Sequence, residues 1–146
     1  MPFTTRRRVE FRDTDAAGIA HFSAFFFWME SVEHELLRTA GIAVVERDAS
    51  GLETSWPRVS ASCDYTAAVR FGDELDVVAG IATLGRSSVT YGFRFSHLGR
   101  DVAHGRIVAV RCLMHPGRKP EAVAIPAGIV AGLAPYRLPD AAAAPA

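Results

Sequence analysis

The chain has 146 residues, 49% of them hydrophobic and 22% charged, which is the size and composition of one globular domain. Its 16 basic and 16 acidic side chains cancel, so there is no overall field to hold a polyanion, and nucleic acid is a poor partner. No apolar run reaches the ~18 residues of a membrane span and no secretory pattern opens the chain, so the expectation is a soluble cytoplasmic protein without a membrane partner.

The elements follow in chain order. Val9 and Phe11 alternate with Arg8, Glu10 and Arg12, which predicts a first strand over about residues 6–12. Arg6-Arg7-Arg8 fits a solvated strand edge, with phosphate contact as the sharper alternative. The loop Asp13-Thr14-Asp15-Ala16-Ala17-Gly18 comes next. Phe22, Phe25, Phe26, Met29, Val32 and Leu36 then recur at three- and four-residue steps, with Glu30, Glu33 and His34 between them. That periodicity predicts a helix over roughly 22–40, deeply buried at its aromatic start, with Gly41 in the C-cap position.

After a polar segment at 46–55 the period becomes two. Val59, Ala61, Cys63 and Tyr65 form one alternating run, Leu75, Val77, Ala79 and Ile81 a second, and Val89, Tyr91, Phe93 and Phe95 a third. Residues 102–114 are apolar on both parities in places, as in a central strand. Gly72-Asp73, Gly85-Arg86 and Gly99-Arg100-Asp101 read as turns, and such short connections predict antiparallel neighbours. A short apolar segment lies near 126–134. The sum is an α+β domain over residues 1–138, one long helix against an antiparallel sheet of about five strands. The low-complexity end, 139–146, reads as a disordered tail. Cys63 and Cys112 lie inside strand-like runs and suit buried thiols better than a disulfide framework.

The chemistry concentrates where the acidic loop meets the helix. A helix N-terminus offers unpaired N–H groups and partial positive charge, a suitable oxyanion site for acyl transfer. A carboxylate beside it can attack a thioester or activate water, and Gly18 permits close backbone approach. The plainer alternative is an acidic turn whose aspartates bond their own backbone. Asn and Gln are absent throughout, so no side-chain amide can serve as an oxyanion donor.

The stretch from Val9 to Ile19, followed by a helix carrying Glu30, Glu33 and Leu37-Arg38, resembles the 4-hydroxybenzoyl-CoA thioesterase family of hot-dog proteins. So do Phe71-Gly72-Asp73-Glu74-Leu75 and Gly85-Arg86-Ser87-Ser88-Val89-Thr90-Tyr91, in the same order, and the likeness runs over about residues 5–133. It implies the hot-dog fold, a sheet wrapped around a central helix. It also implies a hydrolase of small acyl-CoA thioesters, with aromatic acyl groups among the options. The family's catalytic carboxylate corresponds to Asp15 and its oxyanion donor to the backbone amide of Phe22. The side chain at 22 is often Tyr in relatives, and the position of His21 is often aromatic. The family's basic, phosphate-contacting turn falls at Arg86, flanked here by Gly85 and followed by Ser87 and Ser88. His21, Phe25 and Trp56 are the candidates to line the acyl pocket. The resemblance further implies a homo-oligomer, a dimer or dimer-of-dimers tetramer with the site between protomers. It calls for no cofactor beyond the coenzyme A of the substrate.

Other residues weigh less. Asp13 suits turn capping. Glu30, Glu33 and Glu35 suit a solvated or dimer-facing helix surface, with Glu30 or Glu33 as the runner-up catalyst. His34-Glu35 lacks the second histidine of a zinc-protease helix, and no metal site is expected. A hot-dog dehydratase or hydratase, and a non-catalytic acyl-CoA binder, are the competing functions.

Overall fold

The computed structural model describes residues 1–139. The expected tail lies outside the described residues from 140 onward. Strand β1 (Phe3–Arg8) and a 3₁₀ turn (Phe11–Asp13) precede the long helix α1 (Ala24–Thr39). Then come β2 (Glu46–Arg47), β3 (Glu53–Ser55), β4 (Arg58–Tyr65), β5 (Glu74–Leu84), β6 (Ser88–His97) and β7 (Arg100–Val110). Strands β8 (Cys112–Met114) and β9 (Glu121–Ala122) and helix α2 (Ala127–Leu133) follow.

Five strands form one antiparallel sheet in the order β1-β5-β6-β7-β4, and α1 packs on one face of it. This is the expected hot-dog architecture. The inward positions of β5 (Leu75, Val77, Ala79, Ile81) and β6 (Val89, Tyr91, Phe93, Phe95) meet Phe25, Met29, Val32 and Leu36 of α1. Period two on the sheet and period 3.6 on the helix therefore fill one core. At Gly105 of β7 a Cβ would overlap the Met29 sulfur, so the sheet is bare where that side chain seats. The helix ends as a Schellman motif: Ile42 N–H donates to Leu37 O at 2.8 Å, Gly41 N–H donates to Arg38 O at 3.1 Å, and Gly41 has φ +74°.

Four expectations need correction. The first strand is Phe3–Arg8, not 6–12. Val9 is buried, but the carboxylate of Asp13 accepts the Glu10 N–H at 2.8 Å and turns the chain into a 3₁₀ helix, leaving Phe11 exposed. Local capping thus ends an alternation that reads as strand. Second, the polar segment 46–55 holds β2 and β3, which join β8 and β9 in a small second sheet, β2-β3-β8-β9. Third, β4 and β5 are not neighbours. Residues 66–73 carry the chain across, so β4 pairs with β7 at one edge while β5 lies between β1 and β6. Fourth, the aromatic start of α1 is only partly buried: Phe25 and Trp28 are inside, whereas Phe22 and Phe27 are exposed.

The alternation in β4 is real, yet the strand is exposed over most of its length. Cys63 is half-buried, Cys112 is buried, and both are free thiols. No helix among the described residues is long and apolar enough to cross a membrane.

Candidate active site

The acidic loop folds as a tight turn closed on itself. Thr14 bridges to Ala20, Asp15 N–H donates to Ile19 O at 2.9 Å, and Gly18 N–H donates to Asp15 O at 2.9 Å. Gly18 has φ +79°, a conformation open to glycine at little cost. Asp15 Oδ1 accepts the Ala17 N–H at 2.8 Å and lies 3.5 Å from the Ile19 amide nitrogen. The turn-forming alternative therefore describes one oxygen of this carboxylate. The other, Oδ2, accepts nothing among the described residues. Asp13 is a capping residue by its side chain, and its carbonyl accepts the His21 N–H at 2.6 Å. That bond delivers the chain from the Asp15 turn directly to the helix mouth.

At the mouth, the Phe22 amide donates to no group among the described residues. Phe22 as a residue is 63% exposed. The Phe22 carbonyl is fixed from the opposite side by the Tyr65 hydroxyl, which donates to it at 2.7 Å. The Nδ1 of His21 accepts the Ser23 N–H at 3.2 Å and lies 2.7 Å from Ser23 Oγ, and the imidazole stacks on Phe22 at 4.5 Å between centroids. Taking the amide proton at Nδ1 assigns the ring proton to Nε2. Below the mouth, Phe25 forms edge-to-face pairs with Trp28 (4.9 Å), Tyr65 (5.2 Å) and Phe95 (5.3 Å).

The structure thus brings Asp15, Gly18, His21, Phe22 and Phe25 together. It does not bring the other candidates there within one chain. Trp56 is buried beside the Arg58 end of β4, its ring 5.5 Å from the Arg111 guanidinium, whereas Tyr65 ends β4 seven residues on, roughly 23 Å away. Arg86, Ser87 and Ser88 form the β5–β6 turn at that same far end, where Ser87 O accepts the Arg111 N–H at 2.7 Å and Arg86 O accepts the Ile125 N–H at 2.9 Å.

The helix carboxylates also need revision. Glu33 is not a solvated surface group: it is 1% exposed, with Arg58 Nη2 2.7 Å away. Burial pushes its carboxyl up to about 7, against the opposing pull of Arg58. Glu30 is largely solvent-facing, and Glu35 pairs with Arg7 at 2.8 Å. Sequence reasoning missed Tyr65 and Arg58 as partners of the helix. The signal for each was slight, a polar tip at either end of an alternating strand. Among the described residues no three His, Cys, Asp or Glu side chains gather as a metal site would need.

An antiparallel sheet wrapped on one long helix, with an acidic turn feeding the helix mouth, defines a hot-dog protein. A family model described as the thioesterase superfamily matches residues 17–104, beginning two residues after Asp15. The chain belongs to the thioesterase superfamily, and it is an enzyme of thioester hydrolysis. An Aquifex aeolicus (strain VF5) protein whose name goes no further than esterase is 31% identical over 118 residues, 81% of this chain and 89% of that protein. A 1,4-dihydroxy-2-naphthoyl-CoA hydrolase of Synechococcus sp. (strain CC9311) is 32% identical over 108 residues, 70% of this chain and 71% of that protein. Among solved structures, a gentisyl-coenzyme A thioesterase superposes with TM-score 0.75 at 27% identity, over 90% of this chain and 99% of the other. A Synechocystis 1,4-dihydroxy-2-naphthoyl-CoA thioesterase reaches TM-score 0.80 at 20% identity, over 92% and 96%, a likeness of fold.

Proposed function

We propose that the chain hydrolyses aromatic acyl-CoA thioesters, with Asp15 as the catalytic carboxylate and the Phe22 amide as oxyanion donor. The observation that carries this reading is the unpaired Phe22 N–H at an exposed helix mouth, delivered there by the turn that holds Asp15. The thioester carbonyl oxygen sits on the Phe22 amide. Asp15, through the oxygen not bonded to its own turn, attacks the carbonyl carbon or takes the proton of the attacking water. The C–S bond breaks, and coenzyme A departs as a thiolate with a thiol pKa near ~8.5, needing no strong acid; where Asp15 is the nucleophile, water then opens the acyl–Asp15 anhydride, releasing the free acid and restoring the carboxylate. One oxyanion donor is worth about 3–4 kcal/mol in such a step. The aromatic substrate class comes from the relatives, two of which are named for dihydroxynaphthoyl- and gentisyl-CoA.

The enzyme acts as a homodimer built on β4. Support comes from an edge strand that is exposed over most of its length, Val59 being 63% exposed at its register shift, and from the distance between the two halves of the candidate site. Antiparallel pairing of β4 with its copy sets the Arg58 end of one chain beside the Tyr65 end of the other. Trp56 of one copy then approaches the Phe22 mouth of its mate, and Arg86, Ser87 and Ser88 stand on that side for the coenzyme A phosphates.

A hydratase would pair a histidine with a carboxylate, but His21 Nδ1 is taken up by Ser23. Thiol release from benzoyl-CoA and its hydroxylated analogues, compared between the native enzyme and Asp15→Asn, tests the proposal. Turnover should fall at least about a thousandfold with the fold intact. Near-native turnover in Asp15→Asn overturns it.

A further inference from the structure

Three buried side-chain polar atoms have no hydrogen-bond partner among the described residues: Glu33 Oε1, Tyr91 OH and Trp56 Nε1. Two of them, Glu33 Oε1 and the Tyr91 hydroxyl, share the surroundings of Arg58. Its Nη2 lies 2.7 Å from Glu33 Oε1, a close ion-pair contact off the hydrogen-bond angle. Its Nη1 donates to the Trp56 carbonyl at 3.0 Å. The Tyr91 hydroxyl feels both charges, Glu33 opposing its ionisation and Arg58 favouring it. Burying unpaired polar groups is costly, and Phe at 91 would fill the same space without the cost. Such a cluster calls for a partner that the isolated chain lacks.

The unpaired atoms are themselves inaccessible in the single chain, and Arg58 is the part of the cluster that reaches the surface. Arg58 is 26% exposed, and Glu30 stands beside it at 3.9 Å with much of its side chain in solvent. This lip lies at the Arg58 end of β4. The Phe22 mouth is tied to the other end of β4 through Tyr65. In the dimer proposed above, on which this step rests, the lip of one copy faces the mouth of the other.

We infer that Glu33, Tyr91 and Arg58 form the recognition end of the acyl pocket and take a ring hydroxyl of the aromatic acyl group. One copy supplies this cluster and its mate supplies Asp15. A phenolic hydroxyl both donates and accepts. It donates to the Glu33 carboxylate and accepts from the Tyr91 hydroxyl. An unsubstituted ring leaves the Tyr91 hydroxyl unpaired. Sites built to hydrogen-bond a substrate hydroxyl discriminate against analogues lacking it far more than apolar pockets discriminate by size.

The test compares kcat/KM of the full-length enzyme for benzoyl-CoA, 4-hydroxybenzoyl-CoA and 2,5-dihydroxybenzoyl-CoA. The native enzyme should prefer the better hydroxylated thioester to benzoyl-CoA by about 10-fold or more. Tyr91→Phe should bring that ratio to within about twofold of unity, mainly through a higher KM for the hydroxylated substrate. Because the Tyr91 hydroxyl makes no internal bond, this variant removes nothing the fold relies on. Glu33→Gln should lower the same ratio. A native enzyme indifferent to the hydroxyl, or a ratio unchanged in Tyr91→Phe, overturns the inference while hydrolysis itself stands. Failure of the native enzyme to hydrolyse any of the three overturns the functional proposal and this inference with it.

Discussion

The Tyr65 hydroxyl donates a 2.7 Å hydrogen bond to the Phe22 carbonyl, joining the last residue of the edge strand to the residue that opens the helix mouth. Burial is the main reason the phenol is pushed up to about 12, so it remains a donor across the working range of pH. Ser23 provides no side-chain cap at this end of the helix. Tyr65→Phe should leave the midpoint of thermal unfolding nearly unchanged and lower thioesterase kcat/KM about 5- to 10-fold, the worth of one ordinary hydrogen bond in positioning. Steady-state kinetics beside a thermal melt would check it. Native kcat/KM in Tyr65→Phe would mean that the mouth is held by the turn alone.

Glu33 gives the fold a pH dependence of defined sign. Its carboxyl titrates at about 7 in the folded chain, against an ordinary value of 4.5, because burial disfavours the charge. The folded state therefore holds this proton more tightly than the unfolded one. Its stabilising effect is fully present below pH 4.5 and is lost as pH rises towards 7. A difference of that size corresponds to about 3 kcal/mol. Urea unfolding at pH 5 and pH 8 should show the native chain losing stability relative to Glu33→Gln across this window. Parallel pH profiles for the two proteins would remove Glu33 as the cause.

Most of the core was legible in the sequence because the core follows simple periods. Phe25, Met29, Val32 and Leu36 recur as a helix requires, and Leu75 to Ile81 and Val89 to Phe95 alternate as half-buried strands do. What escaped is what periodicity does not encode. Asp13 and Glu10 close a turn through a side chain and so cut short a strand that the pattern extends to Phe11. The chain crosses from β4 to β5 through an eight-residue loop, so sequence neighbours are not sheet neighbours. In the site, the Asp15 turn was legible because its residues are contiguous. The Glu33–Arg58 pair was not, since 25 positions separate its members and only the packing of β4 over α1 joins them.

Gly105 is a packing requirement that can be measured. The Met29 side chain is fully buried, and its sulfur lies where a Cβ at 105 would stand. The clash involves the middle of the side chain, so swinging the terminal methyl does not relieve it. Gly105→Ala should cost about 1–3 kcal/mol of stability, as overpacking of a close-packed core does. Met29→Ala should recover part of this in the double variant, because it removes the obstructing atoms. The coupling term of that four-member cycle, read from urea midpoints, is the decisive quantity. Strictly additive losses would place the fault elsewhere.

Val59 tests the assembly without touching the core. Its side chain is exposed in the single chain, so Val59→Lys removes little internal packing and should change the unfolding free energy of the single chain by no more than about 0.5 kcal/mol. A lysine on an edge strand does oppose strand pairing, because a second copy must desolvate the ammonium. Light scattering should show the dimer of the native enzyme dissociating in Val59→Lys. Thioesterase activity should fall in step with the dimer fraction and recover as protein concentration is raised, since the proposed site joins Trp56 of one copy to the Phe22 mouth of its mate. That concentration dependence separates a broken interface from a damaged fold, in which activity per molecule would not recover. A variant that stays dimeric and fully active would exclude β4 as the seam.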